Sequence, residues 1–217
     1  MAPTTLLGID LGTSSVKAML TDRVGAVLAQ ADAAYPVDRP HAGWAQTDPG
    51  AWWSAVRDAV ASVLTQAPRA RPAGIGLSGQ MHGVVLCGPD AAPVRPAVLW
   101  ADARAEAQLA AYRALPLDVT ARLANPLSPG MAGPILAWLH QHEPDAVAAA
   151  RHALQPKDWL RARLTGAVAA EPSDASATLL YDVLGRTWDE AVIAALGIRR
   201  DLLPALVDFA GSRAGLL

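Results

Sequence analysis

The stretch Gly8-Ile9-Asp10-Leu11-Gly12-Thr13-Ser14-Ser15-Val16-Lys17 constrains this chain more than any other. It joins two apolar runs, Thr5–Ile9 and Val16–Leu20, and both read as strands. The link is short and holds Gly12 with three hydroxyl residues, so the spacing predicts a tight turn in an antiparallel hairpin. Asp10 falls at the end of the first strand, where a carboxylate can face a cleft. Gly12 lets the backbone approach a ligand with no Cβ in the way. Thr13, Ser14 and Ser15 bring hydroxyl and amide donors to one place, and such a turn can cradle phosphate oxygens. An acid beside a phosphate cradle suits Mg²⁺, which keeps most of its water when a protein binds it. An ordinary polar hairpin needs the Gly and Ser residues, but it has no use for Asp10 followed by Lys17.

Downstream, Asp22-Arg23-Val24-Gly25 reads as a second turn and Ala26–Ala33 as a third strand, completing an antiparallel meander. Tyr35 to Gln46 is rich in Pro and Gly and reads as a loop, with Trp44 as its packing anchor. Asp48-Pro49 opens a helix, Asp48 as the cap and Pro49 at the first helical position. Trp52, Val56, Ala59, Val60, Val63 and Leu64 follow helical spacing, and Pro68 ends the run. Pro72–Ser78 then reads as a buried strand, parallel to the first through a βα crossover. Val84–Cys87 and Ala97–Trp100 are further apolar runs joined through Gly88-Pro89-Asp90. From Arg104 to about Leu164 the pattern is helical, broken at Asn125–Gly133 and at Pro144 and Pro156. Pro134, Pro144 and Pro156 each sit where a helix can begin, and Gly166 where the last of them ends. Val168–Ala170 and Thr178–Tyr181 read as short strands on either side of Ser173-Asp174-Ala175-Ser176. A final helix is expected over Asp189–Leu196, and Ala214–Leu217 looks like the start of a new element.

With 217 residues, 52% of them hydrophobic, the chain can bury the core of one large domain, or of a domain with a sub-domain. A net charge of −2 provides no strong field for nucleic acid or an anionic membrane. Cys87 is the only cysteine, so no intrachain disulfide forms, which fits a reducing cytosol. No basic segment precedes the first apolar run, so a signal peptide is not expected. No apolar stretch reaches the roughly 18 residues of a membrane span. A cytoplasmic protein with neither nucleic-acid nor membrane partners is the expectation.

Gln80-Met81-His82-Gly83 is the second informative stretch. Gln and His each offer donor and acceptor, which polyol hydroxyls require. Its place after a parallel strand, where ligands gather in open α/β sheets, favours this over a locally satisfied polar loop. For Asp102 and Arg104, lining a cleft, forming a buried ion pair and capping a helix are all open. Lys157 and Asp158 read as capping and charging a helix start.

The hairpin stretch resembles the first phosphate motif of the sugar-kinase, actin and hexokinase superfamily, and more closely that of the FGGY carbohydrate kinases. Gln80-Met81-His82-Gly83 is similar to the sugar-contacting loop of the family's xylulokinases; glycerol kinases carry Arg-Glu where Met81 and His82 stand here. Trp44-Ala45-Gln46-Thr47-Asp48-Pro49, Trp100-Ala101-Asp102-Ala103-Arg104, Pro156-Lys157-Asp158-Trp159-Leu160-Arg161-Ala162-Arg163-Leu164-Thr165-Gly166 and Ser173-Asp174-Ala175-Ser176 follow in family order. A departure is Pro134-Ile135, where relatives often carry Lys after the proline.

The resemblance implies an α/β, ribonuclease-H-like domain over residues 1–217, with a mixed sheet opening in the meander and a helical insertion. It implies a kinase using MgATP on a ketopentose, D-xylulose first, with another ketose or polyol as alternatives. By the same resemblance, Asp10 places the metal and supports catalysis, Gly12, Thr13, Ser14 and Ser15 hold phosphate, and Gln80, Met81, His82, Asp102 and Arg104 meet the sugar. It allows a homodimer. It also implies roughly twice this length, with the general base, an aspartate in a Gly-rich loop, and the adenosine pocket beyond Leu217 in a C-terminal domain. This chain alone is therefore expected to be an inactive N-terminal half. A sugar-binding module without catalysis is the rival reading, and the intact Asp10 turn argues against it.

Overall fold

The structure is a computed structural model, and it describes residues 4–207. In chain order come β1 (Thr5–Leu11), β2 (Ser15–Asp22), β3 (Val27–Ala34), β4 (Gln46–Thr47), α1 (Pro49–Gln66) and β5 (Pro72–Gly79). Then follow β6 (Val85–Cys87), β7 (Ala97–Val98), α2 (Leu109–Arg113), α3 (Leu117–Leu123), α4 (Ala132–His142), α5 (Pro144–Ala149) and β8 (His152–Leu154). The last are α6 (Pro156–Thr165), α7 (Pro172–Ala175), β9 (Tyr181–Asp182), β10 (Thr187–Trp188) and α8 (Glu190–Ala195). They group into two compact units, Met1–Val37 with Asp48–Gln80, and Asp38–Thr47 with Met81–Leu217.

The first unit is a four-stranded sheet ordered β3-β2-β1-β5, with β1–β2 and β2–β3 antiparallel and β1–β5 parallel. The meander and the crossover both follow from the sequence pattern. Leu7, Ile9, Leu11, Val16, Ala18 and Leu20 alternate onto one buried face. Helix α1 covers that face, chiefly over β2 and β3. Asp48 caps it by accepting the Gly50 N–H at 2.9 Å, Pro49 sits in its first turn, and Trp52, Val56, Ala59 and Val63 point inward. The expectation of a buried strand over Pro72–Ser78 is corrected. Strand β5 is the sheet edge, and its residues alternate between half-buried and exposed. Helix α1 lies over β2 and β3, at the other side of the sheet, instead.

The second unit holds a largely helical core that includes Leu109, Tyr112, Ile135, Leu136, Leu180 and Val192. Short strand pairs, β4–β7 and β6–β8, border it. Pro144 and Pro156 open α5 and α6, and Gly166 ends α6 with a φ of 69°. Pro134 lies inside α4, which begins two residues earlier at Ala132. Asp189 caps α8 by accepting the Ala191 and Val192 N–H groups. Three local expectations are corrected. Residues 152–154, inside the run read as helical, form β8 against β6. Among the described residues Val168–Ala170 contributes a single bridge, Ala170 to Leu206. Thr178 closes a 3-10 turn and Leu179 takes a φ of 60°, so the strand starts only at Tyr181. These segments are too short for periodicity to separate strand from turn. The element expected at Ala214–Leu217 lies outside the described residues.

Candidate active site

In the first unit the hairpin turn closes by a hydrogen bond from the Gly12 N–H to the Ser15 carbonyl at 3.0 Å. A Cβ on residue 12 would lie 3.0 Å from that same carbonyl oxygen, so the turn itself favours glycine. The Gly12 carbonyl accepts from the Tyr35 hydroxyl and, at 3.1 Å, from Gln80 Nε2. Both backbone polar groups of Gly12 are thus engaged within the unit. Gly12 shapes the turn through these bonds, and Thr13, Ser14 and Ser15 lie within it. Burial, and after it the Asp10 carboxylate, push the Tyr35 phenol well above its ordinary range.

Asp10 is exposed on the face of the sheet opposite α1. It pairs across the ladder with Lys17, which in turn pairs with Asp32 and approaches its carboxylate at 3.9 Å. Among the described residues no three His, Cys, Asp or Glu side chains gather to hold a metal. One exposed carboxylate beside hydroxyl groups still fits Mg²⁺, which takes one or two carboxylates and fills its shell with water and substrate phosphates.

Gln80, expected at the sugar, turns its side chain to the hairpin turn. The residue is 9% exposed, its amide nitrogen holds the Gly12 carbonyl, and its Oε1 is buried without a hydrogen-bond partner. The carbonyl it faces can only accept, which fixes the orientation of the amide.

The second unit carries Met81 and His82. Met81 is 45% exposed. His82 has a φ of 74°, a left-handed conformation uncommon for a residue with a Cβ. Its N–H donates to Gln155 Oε1 at 2.8 Å, and its ring Nδ1 lies 2.7 Å from the Ala177 carbonyl. That carbonyl only accepts, so Nδ1 carries a proton, and in the neutral ring Nε2 is the acceptor. Gly83 is required beside it, because a Cβ there would lie 2.7 Å from the Val98 carbonyl oxygen.

Asp102 and Arg104 form a buried bidentate ion pair, both side chains fully covered. Arg104 Nε and Nη2 donate to the two Asp102 oxygens at 2.9 and 2.8 Å, and the Ala45 N–H donates to Asp102 at 2.6 Å. The Arg104 guanidinium lies 3.6 Å over the Trp44 ring. Of the three readings open for these residues, the buried pair is the one formed. Fully covered as they are, both side chains are engaged with each other and with the protein around them.

A second charged cluster lies around the start of α6. Lys157 Nζ is 3.2 Å from Asp158, 3.1 Å from Glu171 and 3.1 Å from Asp174, the last a close ion pair outside hydrogen-bond alignment. Burial pulls the Lys157 ammonium down, but the three carboxylates outweigh it and hold it above its ordinary value. Burial pushes Asp158 from the ordinary 3.8 up to about 6, against the pull of Lys157. Glu171 accepts the N–H groups of Ser173 and Asp174 and so caps α7.

Comparison with known proteins fits this geometry. A profile of the N-terminal domain of the FGGY family of carbohydrate kinases matches residues 5–215. The chain belongs to this family. The xylulose kinase of Escherichia coli K12 is 36% identical over 202 residues, covering 93% of this chain and 42% of its own length. The crystal structure of a xyloylose kinase from Brucella ovis superposes with a TM-score of 0.90 at 36% identity, over 98% of this chain and 45% of that one. A gluconate kinase from Lactobacillus acidophilus gives the same TM-score at 25% identity, over 99% of this chain and 44% of that one. The chain thus spans less than half the length of these relatives. The shared fold is that of the FGGY sugar kinases, the actin and hexokinase type expected from the hairpin.

Sequence reasoning missed two residues of this FGGY domain. Tyr35 reaches back across the sheet to the Gly12 carbonyl, and no local signal marks it. Gln155 stands at the N-cap of α6 yet makes no capping bond with its side chain, which turns to His82 instead. A polar residue just before a helix-opening proline was the available signal, and it reads as a cap.

Proposed function

We propose that this domain forms the sugar- and phosphate-facing half of an ATP-dependent ketopentose kinase, converting D-xylulose and ATP to D-xylulose 5-phosphate and ADP. The observation that carries this reading is the Asp10 hairpin, an exposed carboxylate ending β1 beside three clustered hydroxyl residues. A domain that only bound sugar would have no need of it. Asp10 holds Mg²⁺ directly or through water, and Thr13, Ser14 and Ser15 donate to phosphate oxygens. The metal, when bound, neutralises charge on the transferred phosphoryl group. His82 accepts a hydrogen bond from a ketose hydroxyl at Nε2, and Met81 lies against the carbon face of the sugar. Two relatives named above are xylulose kinases, which favours a ketopentose. The general base and the adenosine pocket come from a C-terminal domain. A cytoplasmic location belongs to the same reading; among the described residues no helix is long and apolar enough to cross a membrane.

The fold match to a gluconate kinase favours a second reading, in which the same phosphate turn serves a sugar acid. ADP release by the full-length protein, measured against a panel of ketopentoses, ketohexoses, polyols and gluconate with MgATP, separates the two. Preference for D-xylulose is expected; preference for gluconate establishes the second reading, and turnover of none overturns both.

A further inference from the structure

We propose that Gln155 is a positioning residue that sets the backbone and ring tautomer of His82. This rests on the reading of His82 as a sugar contact only for its kinetic consequence. Gln155 is 5% exposed and uses both ends of its side chain. Its Oε1 accepts the His82 N–H at 2.8 Å, and its Nε2 donates to the Asp174 carbonyl at 2.5 Å. Asp174 lies in α7, and the 3-10 turn that continues from α7 provides the Ala177 carbonyl bound by His82 Nδ1. One side chain therefore ties the His82 backbone to the segment that also holds its ring.

The arrangement accounts for two otherwise unexplained features. A left-handed φ at a non-glycine residue persists only where its surroundings over-determine it, and here a buried amide fixes the N–H while a carbonyl fixes the ring. The diversion of Gln155 from capping α6 also gains a reason, since its side chain is committed across to His82 and Asp174. The consequence is chemical. With Nδ1 held as donor by Ala177, Nε2 presents a lone pair to a hydroxyl donor. Loss of the Gln155 tie frees the loop to rotate, and the ring is then no longer restricted to that tautomer.

Two measurements test this in the full-length protein. The first is the nitrogen spectrum of histidine-labelled wild type, which needs no variant. His82 is expected as the Nδ1–H tautomer, and a predominant Nε2–H form overturns the proposal. The second compares wild type with Gln155→Met, close in shape but unable to make either hydrogen bond. The KM for the ketose is expected to rise about 3- to 10-fold with kcat and the KM for ATP unchanged, as for loss of one hydrogen bond's worth of positioning. The His82 tautomers should mix in the same variant. Unchanged tautomer and unchanged KM in Gln155→Met overturn the proposal. A tautomer change without any change in KM leaves the positioning role standing and removes His82 from the sugar site instead.

Discussion

The side-chain nitrogen of Gln80 donates to the carbonyl of Gly12 at 3.1 Å, and the Gln80 backbone N–H donates to the neighbouring Leu11 carbonyl at 2.7 Å. The end of β5 is thereby fastened to the turn between β1 and β2. A residue that reads in sequence as part of a sugar loop is built into the support of the hairpin turn.

Gln80→Met should therefore act on the nucleotide side. It removes one buried hydrogen bond to Gly12, at a cost of about 0.5–1.5 kcal/mol in stability. In the full-length protein it should raise the KM for ATP or lower kcat, with the KM for the ketose within about twofold of wild type. Steady-state kinetics with each substrate varied in turn decides this. A rise confined to the ketose KM would return Gln80 to the sugar site.

Asp10→Asn keeps the shape of the strand end and removes the charge. Loss of a metal-directing carboxylate is felt at phosphoryl transfer, so kcat should fall by about 100-fold or more while sugar affinity is preserved. Turnover assays and equilibrium sugar binding on the same preparation check it. Near-normal turnover would reduce Asp10 to a turn residue paired with Lys17.

The meander, the crossover and α1 were legible because each rests on local chemistry. Period-two alternation marks β1 and β2, and Asp48-Pro49 is a complete helix start. What stayed hidden depends on partners distant in sequence. Pro72–Ser78 reads as buried because its composition is apolar, but burial of β5 is set by where α1 lies. Asp102 and Arg104 could be named, yet only the tertiary stack with Trp44 decides among cleft, cap and ion pair. Gln155 and His82 are 73 residues apart, and no spacing rule connects them.

The Asp102–Arg104 pair yields a prediction for stability. Both side chains are fully covered, and Asp102 also holds the Ala45 N–H. Asp102→Ala leaves a buried guanidinium with its main partner gone, at a cost of about 3–5 kcal/mol. At about 2–4 °C per kcal/mol for a chain of this size, the melting temperature should drop by about 6–20 °C. Thermal unfolding monitored by circular dichroism measures it. A change of a degree or less would place the pair in solvent instead.

His82→Ala should strike sugar recognition alone. A ketose hydroxyl left unpaired on closure costs about 1–3 kcal/mol, or about a 5- to 150-fold loss in kcat/KM for xylulose. The KM for ATP should hardly move, in contrast to Gln80→Met. Unchanged efficiency in a folded variant would mean that the ring serves only the Ala177 carbonyl.

Asp158 makes the stability of this domain pH-dependent in an unusual direction. Most paired carboxylates lose stabilising power as pH falls. Here burial outweighs the attraction of Lys157 and lifts Asp158 from the ordinary 3.8 to about 6. Burial raises Asp174 as well, despite Lys157, while Glu171 is held low by its hydrogen bonds from Ser173 and Lys157 despite burial. Between 3.8 and about 6 the folded state keeps a proton on Asp158 that the unfolded chain releases. Stability from this group therefore falls as pH rises through that window, and above it the carboxylate stays charged and buried at a cost. Asp158→Asn carries no titrating proton, so it isolates the effect from Asp174 and Glu171. The melting temperature of wild type relative to Asp158→Asn should be higher near the bottom of the window than above its top. Thermal scans of both proteins across a pH series measure the difference directly. A difference that stays flat, or grows with rising pH, would show that Lys157 holds Asp158 ionised throughout.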